Sequence, residues 1–153
     1  MPTSATGNND QGFTLIELMI VMTIIALASV VVVFAIPDPR GRVIDEAERF
    51  AARVHAARDD AVVQARDVRV SVTARGYRVE SRRRGVWEAL NERPFKPVEW
   101  AGETSAIVGT SGQQAITFDS TGTPASPVAV TIVRDTAQVT VTVAGNGDVR
   151  VGS

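Results

Sequence analysis

The chain has 153 residues, room for one ordinary domain plus an anchor, and its 16 Lys and Arg against 17 Asp and Glu leave a formal net charge of -1. That balance argues against a surface built wholly to coat nucleic acid, while leaving room for a local basic patch. Cysteine is absent and His55 is the only histidine, which excludes disulfides, thiolate metal sites and multi-histidine metal sites, and leaves any histidine-dependent catalysis to that one residue.

In chain order, residues 1–12 are small and polar, carry no Lys or Arg, and read as a short leader. Gly12-Phe13-Thr14-Leu15-Ile16-Glu17 follows, opening a run that is otherwise apolar as far as Ile36. From Leu18 to Ile36 there is no charged residue. At 1.5 Å per residue this stretch covers roughly 28 Å, close to a hydrocarbon core of about 30 Å, so residues 13–36 are expected to form one transmembrane helix. A secretory signal peptide would have a basic start, a shorter apolar region of about 7 to 15 residues and a small-residue cleavage site, and none of these fits well. Glu17 is the exception inside the apolar run. An acid within a membrane span costs roughly 2.5 to 3.5 kcal/mol on insertion scales, so it points to a function. Arg40 and Arg42 lie just beyond the run, and by the positive-inside rule alone the C-terminal side would be cytoplasmic.

Pro37 and Pro39 with Gly41 are expected to end or kink the helix. A helical pattern then resumes through residues 37–66. Val43, Ile44, Ala47, Phe50, Ala51, Val54, Ala57, Ala61, Val62 and Ala65 recur at three- and four-residue spacing, with Asp45, Glu46, Glu48, Arg49 and Arg53 largely off that stripe, which predicts an amphipathic helix laid on a core. Beyond Arg66 the period becomes two. Val68/Val70/Val72, Tyr77/Val79, Ile116/Phe118, Val128/Val130/Ile132, Val139/Val141/Val143 and Val149/Val151 predict short antiparallel strands over residues 67–153. Their separators are turn chemistry, among them Ala74-Arg75-Gly76, Arg134-Asp135-Thr136 and Gly145-Asn146-Gly147-Asp148. Between Arg82 and Gly112 two or three irregular strands are expected, with Pro94 and Pro97 forbidding a regular central one.

The Gly12–Glu17 hexapeptide with its apolar run resembles the type IV pilin and pseudopilin signature. The C-terminal pattern, Ile116-Thr117-Phe118-Asp119, then Gly122, a valine-rich hairpin and Gly147-Asp148-Val149-Arg150-Val151, is similar to the end of an H-type minor pseudopilin (GspH) of a type II secretion system, whose domain the FimT pilus proteins share. The resemblance implies an α+β, pilin-like fold: a long N-terminal helix, transmembrane in its first half, packed on an antiparallel β-sandwich or two small sheets. It implies a structural role in the inner membrane, single-pass, with the C-terminal domain in the periplasm, opposite to the charge rule above. A prepilin peptidase would cut after Gly12, where the missing Cβ lets a protease approach the backbone. Phe13 would become the N-methylated first residue, and Glu17 would pair with a neighbouring subunit's terminal amine during filament assembly. The implied partners are other pseudopilins, major and minor, and an inner-membrane assembly platform, with the subunit near the filament tip supporting export of folded exoproteins. The alternative is a FimT-like minor pilin of a type IV pilus contributing to DNA uptake. Some members of that branch end in a basic Gly-Arg-x-Arg motif, and here the second position is Asp148.

Other candidates read more plainly. Arg82-Arg83-Arg84 with Arg75, Arg78, Arg93 and Lys96 makes residues 67–100 locally basic, and a solvated turn between two strands accounts for the run, so nucleic acid is not expected as a partner. Trp87 and Trp100 read as packing residues. His55 reads as a packing histidine beside the helical stripe, without a nucleophile to serve. Asp59-Asp60 and Asp119, Asp135 and Asp148 lack calcium-loop spacing. No catalytic residue, metal or cofactor is expected.

Overall fold

The computed structural model describes residues 14–35 and 39–152, with no side chains described over residues 31–39. The leader, the Gly12–Phe13 junction and Pro37 lie outside the described residues. The chain divides after Pro37 into two units. The first holds α1, Leu15–Ala35; the second begins with α2, Pro39–Val63. Pro39 takes the first helical position of α2, where a missing N–H is an orphan in any case and the fixed φ suits the helix.

The core stripe of α2 is fully buried at Val43, Ala47, Phe50, Val54, Ala57 and Ala61. Alanine at three of these positions lets the helix axis approach the sheets closely, and Phe50 fills the remaining depth. The stripe ends earlier than the spacing predicts. Val62 is 48% exposed and Ala65 is exposed, while Glu46, expected off the stripe, is 6% exposed. Val62 stands about 100° around the helix from Ala61, and Ala65 is no longer helical. Its φ of 47° places it in the left-handed region, with the Arg66 N–H donating to the Ala61 carbonyl at 3.1 Å and the Ala65 N–H to Val62 at 3.2 Å. That pair of bonds is a Schellman ending, with alanine where glycine is usual.

Nine strands follow: β1 Val68–Thr73, β2 Gly76–Arg83, β3 Val86–Ala89, β4 Val98–Glu99, β5 Ser105–Ile107, β6 Gln113–Phe118, β7 Val128–Arg134, β8 Ala137–Val143 and β9 Val149–Gly152. They form two antiparallel sheets. One has the order β3-β2-β1-β6, with β4 also pairing with β2; the other runs β5-β7-β8-β9. The irregular stretch before Gly112 therefore supplies β3, β4 and β5, all short and all at edges, as Pro94 and Pro97 require.

Two-residue turns fix the registers. Thr73 faces Gly76 across Ala74-Arg75, Arg83 faces Val86 across Arg84-Gly85, and Arg134 faces Ala137 across Asp135-Thr136. Arg84 and Gly85 both have positive φ, 49° and 85°, the twist-matched hairpin geometry. With these registers Val70 meets Val79 and Ile116 across its strand, and Ile132 meets Val139, all buried. One-residue slips would turn that valine face to solvent. α2 packs against β1 and β6 of one sheet and β7, β8 and β9 of the other. Phe50, Tyr77 and Trp100 close one end of this core with ring centroids 4.9 to 5.6 Å apart, and the Trp100 indole N–H donates to the Thr73 carbonyl at 3.2 Å. At Gly76 an added Cβ would fall on the Val98 carbonyl, so only glycine lets β4 join β2 there.

Candidate functional site

α1 starts with a cap. The Thr14 hydroxyl accepts from the Glu17 N–H at 3.3 Å, and the Thr14 carbonyl accepts the first helical bond from Leu18 at 3.2 Å. Thr14-Leu15-Ile16-Glu17 is thus the Thr-x-x-Glu pattern of a capping box, with Glu17 at the third helical position, where an acid also suits the helix dipole. The Thr14 cap was a sequence signal in itself, a threonine three residues ahead of a glutamate at the head of an apolar run.

Every described side chain of α1 is exposed, and the large apolar ones run from 43% at Val21 to 78% at Leu15. The helix is apolar all round, which belongs to a surface covered by lipid or by other helices. Its hydroxyls are already satisfied within the helix, Thr23 donating to the Met19 carbonyl at 2.8 Å and Ser29 to Ile25 at 2.7 Å. Among the described residues, the Glu17 carboxylate has no side-chain partner. One charge in an apolar cylinder therefore stands open to a group from outside the chain. Among the described residues no helix is long and apolar enough to cross a membrane; the described side chains of α1 stop at residue 30, and the apolar sequence continues to Ile36.

The basic run is arranged differently from a solvated turn. Arg82 and Arg83 lie in β2 and only Arg84 is in the turn. Arg82 pairs with Asp67 at 3.5 Å and Arg83 with Glu88 at 4.0 Å. Beside them Glu80, buried, holds Arg69 at 2.9 Å, Arg78 at 3.6 Å and the Ser71 hydroxyl at 2.6 Å. Burial by itself would raise the Glu80 carboxyl, but the hydrogen bonds from Ser71 and Arg69 and the charges of Arg69 and Arg78 outweigh it and hold the group below its usual range. The Trp87 ring lies under Arg69 and Arg82, at 4.4 and 5.9 Å. Arg82 and Arg83 thus face partly exposed acids, while Arg75, Arg84, Arg93 and Lys96 have no acid partner among the described residues. Arg150 is held by Asp148 at 2.8 Å.

His55 is exposed rather than packed, because it stands one residue, about 100°, beyond the buried Val54. Asp119 closes its own loop, accepting from the Thr121 hydroxyl and the backbone of Thr121 and Thr123 at 2.6 to 3.0 Å; these bonds, the Thr121 hydroxyl first, hold its carboxyl below the usual range. Asp135 sits in a hairpin turn at φ 54°. Among the described residues, no three His, Asp or Glu side chains gather as a metal site.

The family described as type II transport protein GspH matches residues 46–147, and the prokaryotic N-terminal methylation motif matches residues 7–35. No curated protein sequence matches the chain. Among solved structures, two of the minor pseudopilin EpsH from the type II secretion system of Vibrio cholerae are similar. One has a TM-score of 0.63 at 14% identity, covering 76% of this chain and 96% of that one; the other has 0.59 at 18%, covering 74% and 96%. The type IV minor pilin FimU of Pseudomonas aeruginosa is similar at a TM-score of 0.57 and 17% identity, over 74% of this chain and 90% of its own. At these identities the likeness is one of fold.

Proposed function

We propose that this chain, which belongs to the type II transport protein GspH family, acts as a minor pseudopilin of type II secretion, a structural, non-catalytic subunit near the filament tip. Residues 1–12 are the leader, residues 13–36 the membrane half of the N-terminal helix, and the domain from residue 39 onward stands in the periplasm, with the chain held in the inner membrane before assembly. The prepilin peptidase cuts between Gly12 and Phe13, and the new amine on Phe13 is methylated. It remains a cation after methylation, so a carboxylate can still pair with it.

The observation that carries this reading is Glu17. It is the single charge on α1, it has no side-chain partner among the described residues, and the apolar side chains around it are exposed. A filament of staggered helices supplies both missing elements, apolar cover for α1 and the Phe13 amine of a neighbour for Glu17. Intact mass and N-terminal sequencing of membrane-extracted protein test the processing step, with a chain beginning at methylated Phe13 as the expected result. Residues 1–12 retained in cells that carry the peptidase would overturn it.

The type IV pilus alternative shares the fold, so fold does not choose between them. The pairing of Arg69 and Arg78 with Glu80 and of Arg150 with Asp148 favours the secretion reading over DNA uptake, since each of these cations already has a carboxylate partner. A DNA titration at several salt concentrations tests this. Weak binding without a steep salt slope is expected, and tight salt-dependent binding lost on changing Arg82, Arg83 and Arg84 to alanine would favour the pilus.

A further inference from the structure

β3 is an edge of its sheet, and the register states which of its backbone groups are unpaired. The Arg82 N–H donates to the Asp67 carbonyl at 2.9 Å, so the even-numbered residues of β2 bond to β1 and the odd-numbered ones to β3. The Leu90 N–H donating to Val79 at 2.9 Å agrees. Val86, Glu88 and Leu90 therefore bond back to β2. Trp87 and Ala89 turn their N–H and C=O groups the other way, where no backbone among the described residues meets them. Two other edges are covered: along β6 the Ala125 N–H donates to the Thr117 carbonyl at 2.8 Å, and beside β5 the Ala74 carbonyl accepts from Ala106 at 3.4 Å. β9 is also at an edge, but its Arg150 is already held by Asp148.

The end of β3 borders a cleft of about 520 Å³, lined by Asp60, Gln64 and Arg66 from the exit of α2 and by residues 88–93, within the size range of ligand sites. Its charges pair unevenly. Asp60 holds Arg66 at 3.0 Å and Glu88 meets Arg83 at 4.0 Å, while Arg93 and Glu92 have no side-chain partner among the described residues. Arg84, in the turn that opens β3, has none either. Two unpaired cations thus bracket β3, two residues before it and four after it, against one unpaired acid. Gln64 and Asn91 are exposed, and their side-chain amides have no partner among the described residues.

We propose that β3 is a docking edge for an extended acidic segment of a partner protein, which adds to the sheet as a further strand. Trp87 and Ala89 supply the main-chain donors and acceptors that hold any extended segment, and Arg84 and Arg93 select for acidic side chains along it. A second copy of this chain fits poorly, since β3 laid against β3 brings like cations together at both ends. Nucleic acid would use the two arginines but has no need of the Ala89 N–H. Edge and cleft both belong to the domain that begins at α2, so the inference does not rest on the reading of α1.

The full chain in detergent is titrated with three fluorescent peptides: alternating Thr-Glu, alternating Thr-Lys, and Thr-Glu with every second backbone nitrogen methylated. Thr-Glu should bind, more weakly at high salt, and the other two should not. Ala89→Pro deletes an outward N–H and leaves the bonds from Val86, Glu88 and Leu90 to β2 in place, so it should weaken Thr-Glu binding about tenfold at unchanged thermal stability. Arg84→Gln with Arg93→Gln should abolish the preference for Thr-Glu over Thr-Lys. Val151→Pro, the matching change on β9, should alter nothing. Equal binding by wild type and a folded Ala89→Pro overturns the proposal, and so does equal binding of the methylated peptide, a readout that needs no variant to fold. A concentration-dependent dimer lost in Ala89→Pro would overturn it in favour of self-pairing. A DNA oligonucleotide that displaces the peptide and binds Ala89→Pro as tightly as wild type would overturn it in favour of phosphate contact.

Discussion

α1 and the domain that begins at α2 solve opposite problems. In the domain, apolar side chains are turned inward and charges are matched inside the molecule: Glu80 with Arg69 and Arg78, Asp60 with Arg66, Asp148 with Arg150. In α1 the apolar side chains face outward and its one charge, Glu17, has no side-chain partner among the described residues. A segment complete in itself can afford to be a scaffold. A segment left incomplete states what it needs from outside, here an apolar medium and a cation.

Changes at four positions break or sharpen that contrast, from the largest effect to the smallest. Phe50→Ala removes a fully buried ring that touches both Tyr77 and Trp100, and should cost the domain about 3 to 5 kcal/mol. Chemical denaturation followed by tryptophan fluorescence reads it, and membrane retention through α1 should be unchanged; a loss below about 1 kcal/mol would mean the aromatic cluster repacks freely.

Glu17→Ala and Glu17→Gln act on the other half. Both should leave insertion and cleavage largely intact, since removing the acid lifts an insertion penalty. Both should impair incorporation into the filament, because a neighbour's amine left buried without its counter-ion costs about 3 to 5 kcal/mol. Both variants keep the Glu17 N–H bond to the Thr14 hydroxyl and glutamine also keeps the side-chain length, so a defect shared by both is due to the charge, and a defect of alanine alone would assign Glu17 a role in shape or hydrogen bonding. Crosslinking of the processed variant to other pseudopilins, with no unmutated copy present, decides between them.

Glu80→Gln tests whether the domain's internal pairing stabilises it. Loss of charge-assisted hydrogen bonds should cost about 1.5 to 3 kcal/mol at neutral pH. Because the folded carboxyl titrates below its unfolded value of about 4.3, its contribution is fully present above that pH and is lost as pH falls through the lower folded value. Wild type should therefore lose stability relative to Glu80→Gln between about pH 4 and the acid limit of the measurement. Parallel curves would show that Glu80 is held no more tightly folded than unfolded.

Ala65→Gly is the smallest change and goes the other way. Alanine at φ 47° in the Schellman position carries a steric cost that glycine lacks, so the domain should gain about 1 kcal/mol in thermal denaturation. A loss would mean that the unfolded-state entropy of glycine exceeds the relief.

Much of this was readable in the residue pattern alone. The change from a three-to-four period to a period of two marked where α2 gives way to β1, because burying one face of a helix or a sheet imposes those spacings on any chain. Valine alternation with turn residues between gave the main strands, and Pro94 and Pro97 announced the short edge strands, since a proline cannot donate to a ladder. The unusual position of Glu17 was also plain, as an acid at the head of a long apolar run. What tertiary structure decided is where neighbours distant in sequence meet. Asp67 and Glu88 neutralising Arg82 and Arg83, Arg69 and Arg82 lying over Trp87, and the approach of Val98 to Gly76 all follow from strand pairing, which residue spacing along one strand does not encode. The stripe of α2 stops at Ala61, and His55 is exposed, because the extent and angle of a helix's contact are set by the sheets beneath it. Periodicity states that a helix has a buried face; only the packed surface opposite determines how far that face runs.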